Sequence, residues 1–310
     1  MKIGIIGAGM VGSSVGFALA ITGYVSEVVI IDRNEALAVA QAEDIAHAVP
    51  FMSATRVRAG GYSDLDGAGI VILAAGASQK PGETRLELLG RNTEVFRQIV
   101  GQVLSVVSNP ILLVASNPVD AITFITQRLS GLPSQRVIGS GTILDTARFR
   151  SLIARHLNIS PQSIHADVIG EHGDSEVLAW HSARASSVDL ASFAQQIGAP
   201  LTDKVRAEID DNVRNAAYKI IEGKGATYYG IGAGIARIVR AIARDEGAVL
   251  TVSLVTDHVA GVEQVALSLP RVIGANGVAF DMLPDLSPSE QVALKRSAEL
   301  LKSITDALQL

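Results

Sequence analysis

The chain contains no cysteine. That excludes a disulfide framework, a thiol nucleophile and a cysteine-ligated zinc, so an alcohol oxidised here must lose its proton to a base instead of a cysteine-bound metal. Strong charge of either sign is missing too. A net charge of −5, with 18% charged residues in a chain of 310, disfavours a nucleic-acid partner. No uninterrupted apolar run reaches the ~18 to 20 residues that span a bilayer, and no charged-then-apolar leader precedes Lys2. The expectation is a cytoplasmic chain with no membrane partner. Repeats, low-complexity tracts and linker-like segments are absent as well, and 48% hydrophobic residues at this length suffice for two packed lobes or one large α/β domain. Histidine, with six copies, is left as the obvious proton carrier.

What is present is concentrated first between Met1 and Asp32. Residues 2–6 (K-I-G-I-I) are apolar and β-branched, G-A-G-M-V-G follows, and the chain then runs helical to Ile21, giving strand, tight turn and helix. Gly7 permits the turn, Gly9 lets a pyrophosphate reach the backbone, and Gly12 lets the helix pack closely on the strand; Met10 and Val11 share the turn. The helix N-terminus offers phosphates its unpaired N–H groups and the positive end of its dipole. A second apolar strand over 28–31 ends at Asp32, which follows the third glycine by 20 residues. A carboxylate there accepts both ribose hydroxyls of NAD and repels the 2′-phosphate of NADP, a discrimination that the neighbouring Arg33 softens. The reading is NAD. A glycine triplet alone is a weak signal, and it is the surrounding strand, helix and acid that separate it from a ligand-free turn.

Residues 35–48 suit a crossover helix, 55–58 a strand, and 70–75 (I-V-I-L-A-A) a parallel strand buried on both faces. At its carboxyl end Gly76 and Ala77 are candidates for backbone approach to the cofactor. Tyr62, in the turn before it, either flanks the adenine or packs on the surface. The polar stretch 78–85 (S-Q-K-P-G-E-T-R) is a candidate lid before a helical run through Val107. The next strand, 111–115, closes at Ala115 in S-N-P-V-D, which puts Asn117 beside the nicotinamide. Alternating strands and helices indicate an α/β fold: a doubly wound parallel Rossmann sheet over residues 1–141, with an α+β substrate and catalytic domain over 142–310. There, 144–157, 203–222 and 226–244 read as helices and 166–169, 249–255 and 262–269 as strands. Residues 288–308 read as an amphipathic helix with apolar positions at Val292, Leu294, Leu300, Leu301 and Ile304.

Two pieces of the second half carry chemistry. L-D-T-A-R puts Asp145 and Arg148 on one face of a helix, and G-E-H-G-D-S sets His172 between glycines after a strand. An acid to orient a histidine and an arginine to hold a carboxylate are what reversible oxidation of a 2-hydroxy acid requires, since a base must reach the hydroxyl proton as the hydride leaves. Singly, Asp145 also reads as a helix cap, Arg148 as a surface ion pair and His172 as a turn residue. Downstream of a dinucleotide fold, the three together favour the site.

In order along the chain, G-A-G-M-V-G, Q-K-P-G-E-T-R, S-N-P-V-D, L-D-T-A-R-F-R, G-E-H-G-D-S-E and K-G-A-T-Y-Y-G resemble the bacterial L-lactate dehydrogenases of the lactate/malate dehydrogenase superfamily. The resemblance covers essentially the whole chain. It implies His172 as acid and base toward pyruvate and L-lactate, Asp145 as its support, Arg148 as the grip on the substrate carboxylate, and Arg85 as a lid residue polarising the carbonyl. Asn117 and Thr227 would line the pocket, Ser105 and Ser140 would lie near the cofactor, and no metal is expected. Malate dehydrogenases of the superfamily carry arginine where this chain has Gln79, and a neutral glutamine leaves the second carboxylate of oxaloacetate without a counter-charge. Arg150 and His165 match a pair that binds fructose 1,6-bisphosphate at a subunit interface in many relatives, which implies a homotetramer with an allosteric site; the alternative is a surface ion pair and a strand-edge residue. His47, His156, His181 and His258 read as structural. The competing functions are malate dehydrogenase, a broader hydroxyacid dehydrogenase, and a dinucleotide-binding module without turnover.

Overall fold

The computed structural model describes residues 1–76, 82 and 85–308, with Arg85 and Leu86 described for the backbone alone. Its first half alternates strand and helix: β1 (Lys2–Ile6), α1 (Met10–Thr22), β2 (Glu27–Ile31), α2 (Glu35–Ala48), β3 (Arg56–Ala59), β4 (Ala68–Leu73), α3 (Arg85–Leu104), β5 (Ile111–Val114), α4 (Val119–Ser130) and β6 (Val137–Gly139). These six strands lie parallel in the order β6-β5-β4-β1-β2-β3. The strand order reverses between β1 and β4, which opens a crevice at their carboxyl ends. The unbroken apolar run of β4 follows from burial on both faces: Ile70 and Ile72 pack in one core with β1 and α1, Val71 and Leu73 in another with Phe96 and Val100 of α3.

The second half contributes α5 (Ile143–Leu157), β7 (Ile164–His165), β8 (Val168–Ile169), β9 (Val177–Leu178), β10 (Arg184–Ala185), β11 (Val188–Asp189), α6 (Leu190–Gln196), α7 (Asp203–Arg214), α8 (Ala216–Lys224), α9 (Tyr229–Ala243), β12 (Ala248–Val259), β13 (Val262–Gly274), β14 (Gly277–Asp281) and α10 (Pro288–Asp306). Three features depart from the periodicity of the sequence. The helix expected over 203–222 is interrupted at Asn215, whose backbone (φ −90°, ψ 0°) leaves the helical region between α7 and α8. β12 and β13 run longer than expected and do not stand apart. With β14 they extend the parallel sheet to nine strands, antiparallel, through the pairing of Ser253 with Gly139. That seam needs a glycine, because a Cβ at Gly139 would lie 2.2 Å from Thr123 Oγ1 and 2.9 Å from Ser253 Cβ. The two-residue strands β9 to β11 are too short to leave a periodic signal. On α10 the buried stripe is narrower than its apolar positions, with Leu294 and Leu301 inside and Val292 and Leu300 exposed. Among the described residues no helix is long and apolar enough to cross a membrane.

Candidate active site

The crevice between β1 and β4 has a volume of about 730 Å³. It is lined by Gly7 and Gly9 of the glycine turn, by Asp32 and Arg33 after β2, by Tyr62, by Ala74 to Gly76 after β4, and by residues of α3 that include Gln98 and Gln102. Gly7 has φ +110°, and a Cβ at Gly12 would sit 1.8 Å from Gly7 O, so both glycines are required by the turn itself. Gly9 is different. A Cβ there would meet nothing within 4 Å, and Gly9 caps α1 without a side-chain hydrogen bond. The first N–H groups of α1 therefore remain for an anion, as a pyrophosphate requires. Met10 is exposed beside this opening and Val11 half-buried. Asp32 is fixed at the tip of β2, its two oxygens accepting N–H groups from Ala8 (2.7 Å) and Asn34 (2.9 Å). Tyr62 faces the crevice instead of the outer surface, and burial pushes its phenol pKa up. Phosphate cradle, ribose acid and aromatic wall fit a dinucleotide. Ser105, expected near the cofactor, does not line the crevice: it is exposed and its hydroxyl donates to Gln102 O at 2.8 Å, whereas Gln98 and Gln102 do line it. Ala77, Gln79 and the side chain of Arg85 lie outside the described residues.

At the carboxyl edge of β5, Ala115 N–H donates to Leu73 O at 2.9 Å and Ser140 N–H to Val114 O at 2.8 Å, so both belong to the strand ends around the crevice. Asn117 follows there, joined to Pro118 by a cis peptide at the start of α4. One turn of chain further on, Asp120 is buried and accepts hydrogen bonds from Ser253 Oγ (2.6 Å) and His172 N–H (2.8 Å).

That last bond positions the histidine loop. β8 is tied to α5 by Val168 N–H donating to Thr146 Oγ1 at 2.9 Å, Gly170 pairs with Ser268 of β13, and Glu171 N–H donates to Ser297 of α10 at 2.9 Å. Pinned on these sides, the loop aims His172 at the first turn of α5. His172 Nδ1 lies 2.5 Å from Asp145 Oδ2, and Asp145 Oδ1 accepts Arg148 Nη1 at 2.8 Å. One carboxylate, 2% exposed, thus holds an imidazole and a guanidinium together. Burial works against the charged imidazole, but the Asp145 carboxylate outweighs it and raises His172 to about 9. Burial likewise pushes Asp145 up, while His172 and Arg148 together hold it below the ordinary carboxylate value. The carboxylate on Nδ1 favours the protonated imidazole and leaves Nε2 as the nitrogen that can serve a substrate.

Asp120 and Glu176 escape the sequence reading. Both sit inside motifs it singled out, S-N-P-V-D and G-E-H-G-D-S-E, but burial is their only distinguishing mark. Burial lifts Asp120 to about 6 against the hydrogen bonds from Ser253 and His172. Thr227 is half-buried in the connection to α9, whose Gly230 packs against Leu144 beside Asp145. Arg150 lies on the outer side of α5, donating to Ala166 O and Asp167 Oδ1, each at 2.8 Å, next to the exposed His165. Among the described residues no cluster of three His, Cys, Asp or Glu could hold a metal ion.

Hydride transfer coupled to proton transfer needs a nucleotide crevice and a proton carrier on the same sheet edge, and this combination makes the molecule a nicotinamide-dependent dehydrogenase by class. The family description "lactate/malate dehydrogenase, NAD binding domain" matches residues 1–139, and "lactate/malate dehydrogenase, alpha/beta C-terminal domain" matches 142–309. The chain is 66% identical over 304 residues to an L-lactate dehydrogenase of Allorhizobium ampelinum, covering 98% of each, and 58% identical over 308 residues to that of Thermus aquaticus, covering 99% of each. A solved minor L-lactate dehydrogenase from Enterococcus mundtii superposes with a TM-score of 0.96 at 39% identity, covering 100% of this chain and 98% of that one. The chain belongs to the lactate/malate dehydrogenase family, and its place there is among the NAD-dependent L-lactate dehydrogenases.

Proposed function

We propose that the enzyme interconverts pyruvate and L-lactate with His172 as proton donor and acceptor, a reading carried by the single carboxylate of Asp145 that holds His172 and Arg148 together. NAD, when bound, accepts or supplies the hydride at its nicotinamide ring. Gly7, Gly9, Met10, Val11 and Gly12 would hold its pyrophosphate, Asp32 its ribose, Tyr62 its adenine, and Gly76, Ala77, Ala115, Asn117 and Ser140 its nicotinamide half. His172 gives its Nε2 proton to the carbonyl oxygen in reduction and takes the hydroxyl proton in oxidation, and Asp145 stabilises the imidazolium between the two. With one nitrogen of Arg148 committed to Asp145, the remaining N–H groups of the guanidinium grip the substrate carboxylate and fix the carbonyl for attack. Arg85 polarises that carbonyl, and Asn117 and Thr227 line the pocket. Gln79 favours the methyl of pyruvate, because a second carboxylate beside a neutral amide costs several kcal/mol. Steady-state kinetics of wild type and Gln79→Arg with pyruvate and oxaloacetate test this. The wild type is expected to prefer pyruvate and the variant to shift toward oxaloacetate; a wild type preferring oxaloacetate ends the lactate reading.

The same reading includes a cytoplasmic homotetramer activated by fructose 1,6-bisphosphate through Arg150 and His165. Its support is that Arg150 bonds the residue next to His165, which brings two cationic donors onto one surface. Asp167, bonded to Arg150, would have to yield to a phosphate. Pyruvate saturation curves and assembly state that do not respond to the sugar bisphosphate would refute it.

A further inference from the structure

Glu176 ends the loop that carries His172 and is 4% exposed, yet among the described residues its Oε1 has no hydrogen-bond partner. Its charged neighbours come from each element around it: Asp145 and Arg148 from α5, Arg214 from α7, and His172 from its own loop. The remaining acids of that loop are turned to other partners. Glu171 accepts Ser175 N–H and Oγ, and the Asp174 carboxylate accepts Tyr218 OH. Arg214 Nη1 is engaged by Asp174 O at 3.0 Å, and Asp120 of α4 stands behind His172. Among the described residues no hydrogen-bond donor is therefore directed at Glu176 Oε1 to reward a charge there.

We propose that Glu176 is a positioning residue of the substrate-anion site, an acid that must stay neutral for Arg148 to hold a monocarboxylate and whose ionisation expels that substrate. Two observations carry this, and the direction of the Glu176 shift agrees with them. A buried carboxylate with an unpaired oxygen is disfavoured against the neutral acid, so the uncharged form is the resting one. Arg148 already shares one carboxylate, Asp145, at 2.8 Å, and a second carboxylate in Coulombic reach would compete with the substrate for the same cation. Burial first, and repulsion by Asp145 second, raise Glu176 to about 8 against the pull of Arg214, His172 and Arg148, so the change of state falls just above neutrality. The inference rests on the pyruvate and lactate reading above.

Lactate oxidation separates Glu176 from His172. As pH rises, His172 loses its proton and becomes the base that lactate requires, which lowers the lactate KM. Ionisation of Glu176 acts the other way, by repelling the lactate carboxylate and by holding the proton on His172. Glu176→Gln keeps the shape of the neutral acid and cannot ionise. The ratio of lactate KM, wild type over E176Q, is expected to rise about five-fold between about pH 6 and about pH 9.5, with the kcat ratio changing less. A KM ratio that does not change with pH overturns the proposal. Infrared spectra of the holoenzyme provide a second readout, independent of turnover: a protonated-carboxyl stretch present at neutral pH in wild type, lost on alkaline titration and absent from E176Q. A Glu176 already ionised at about pH 6 overturns the proposal as well. A wild type that does not oxidise lactate defeats the functional reading itself, whereas an active wild type with a flat ratio removes only the role of Glu176.

Discussion

Asp145 makes two ionic contacts with one side chain, and its loss should be read in both activity and stability. Asp145→Asn is expected to lower kcat for pyruvate by at least about a hundred-fold, since the imidazolium loses both its anchor and its counter-charge. The stability effect has a defined pH window. His172 is raised to about 9 from its ordinary 6.5, so its contribution is fully present below about 6.5 and is lost as pH rises through about 9. Asp145 is lowered from its ordinary 3.8, so its contribution is present above that value and lost in acid. Thermal unfolding of wild type and Asp145→Asn should differ most near neutral pH and converge toward both extremes; a constant difference in Tm would show that the pair is not the source. His172, Asp145 and Arg148 were legible in the sequence because glycines and helical spacing mark them. Asp120 and Glu176 were not, because an acid is marked by its burial and by what it bonds, and neither is written in the order of residues.

At the scale of elements, the strand, turn and helix of β1 and α1 separate two kinds of glycine. Gly12→Ala would drive a methyl into Gly7 O, 1.8 Å away, and is expected to destabilise the protein by about 2 kcal/mol or more, measured by denaturant unfolding. A Cβ at Gly9 meets no protein atom within 4 Å, so Gly9→Ala should leave the unfolding midpoint nearly unchanged while weakening NADH binding about ten-fold or more by occupying the phosphate opening. Equal losses of stability for the two would contradict these separate roles. The strands β1, β2, β4 and β5 were readable as apolar runs because both of their faces are covered. The break at Asn215 was not, because it lies in one residue's backbone angles and leaves the apolar spacing on either side unmarked, and the two-residue strands β9 to β11 are defined only by their partners.

Across the whole molecule, the seam between Gly139 and Ser253 joins the parallel sheet to β12 and β13, and Ser253 passes the connection through Asp120 to the backbone of His172. Gly139→Ala is expected to cost about 2 kcal/mol of stability through overpacking and, by shifting Ser253, to lower kcat more than it raises KM for NADH. Thermal unfolding and steady-state kinetics on the same preparation check both, and a stability loss with unaltered kcat would break the proposed link. The change of rhythm after Gly141 was legible, but the antiparallel extension of the first sheet by later strands was not, since a single residue pair creates it. The most direct test of the central claim is NADH consumption on adding pyruvate, compared between wild type and a His172→Gln variant shown to bind NADH equally well. Loss of the proton carrier is expected to slow turnover by about a thousand-fold. A variant that consumes NADH at the wild-type rate would mean that the proton comes from elsewhere and that this imidazole is not the centre of the site.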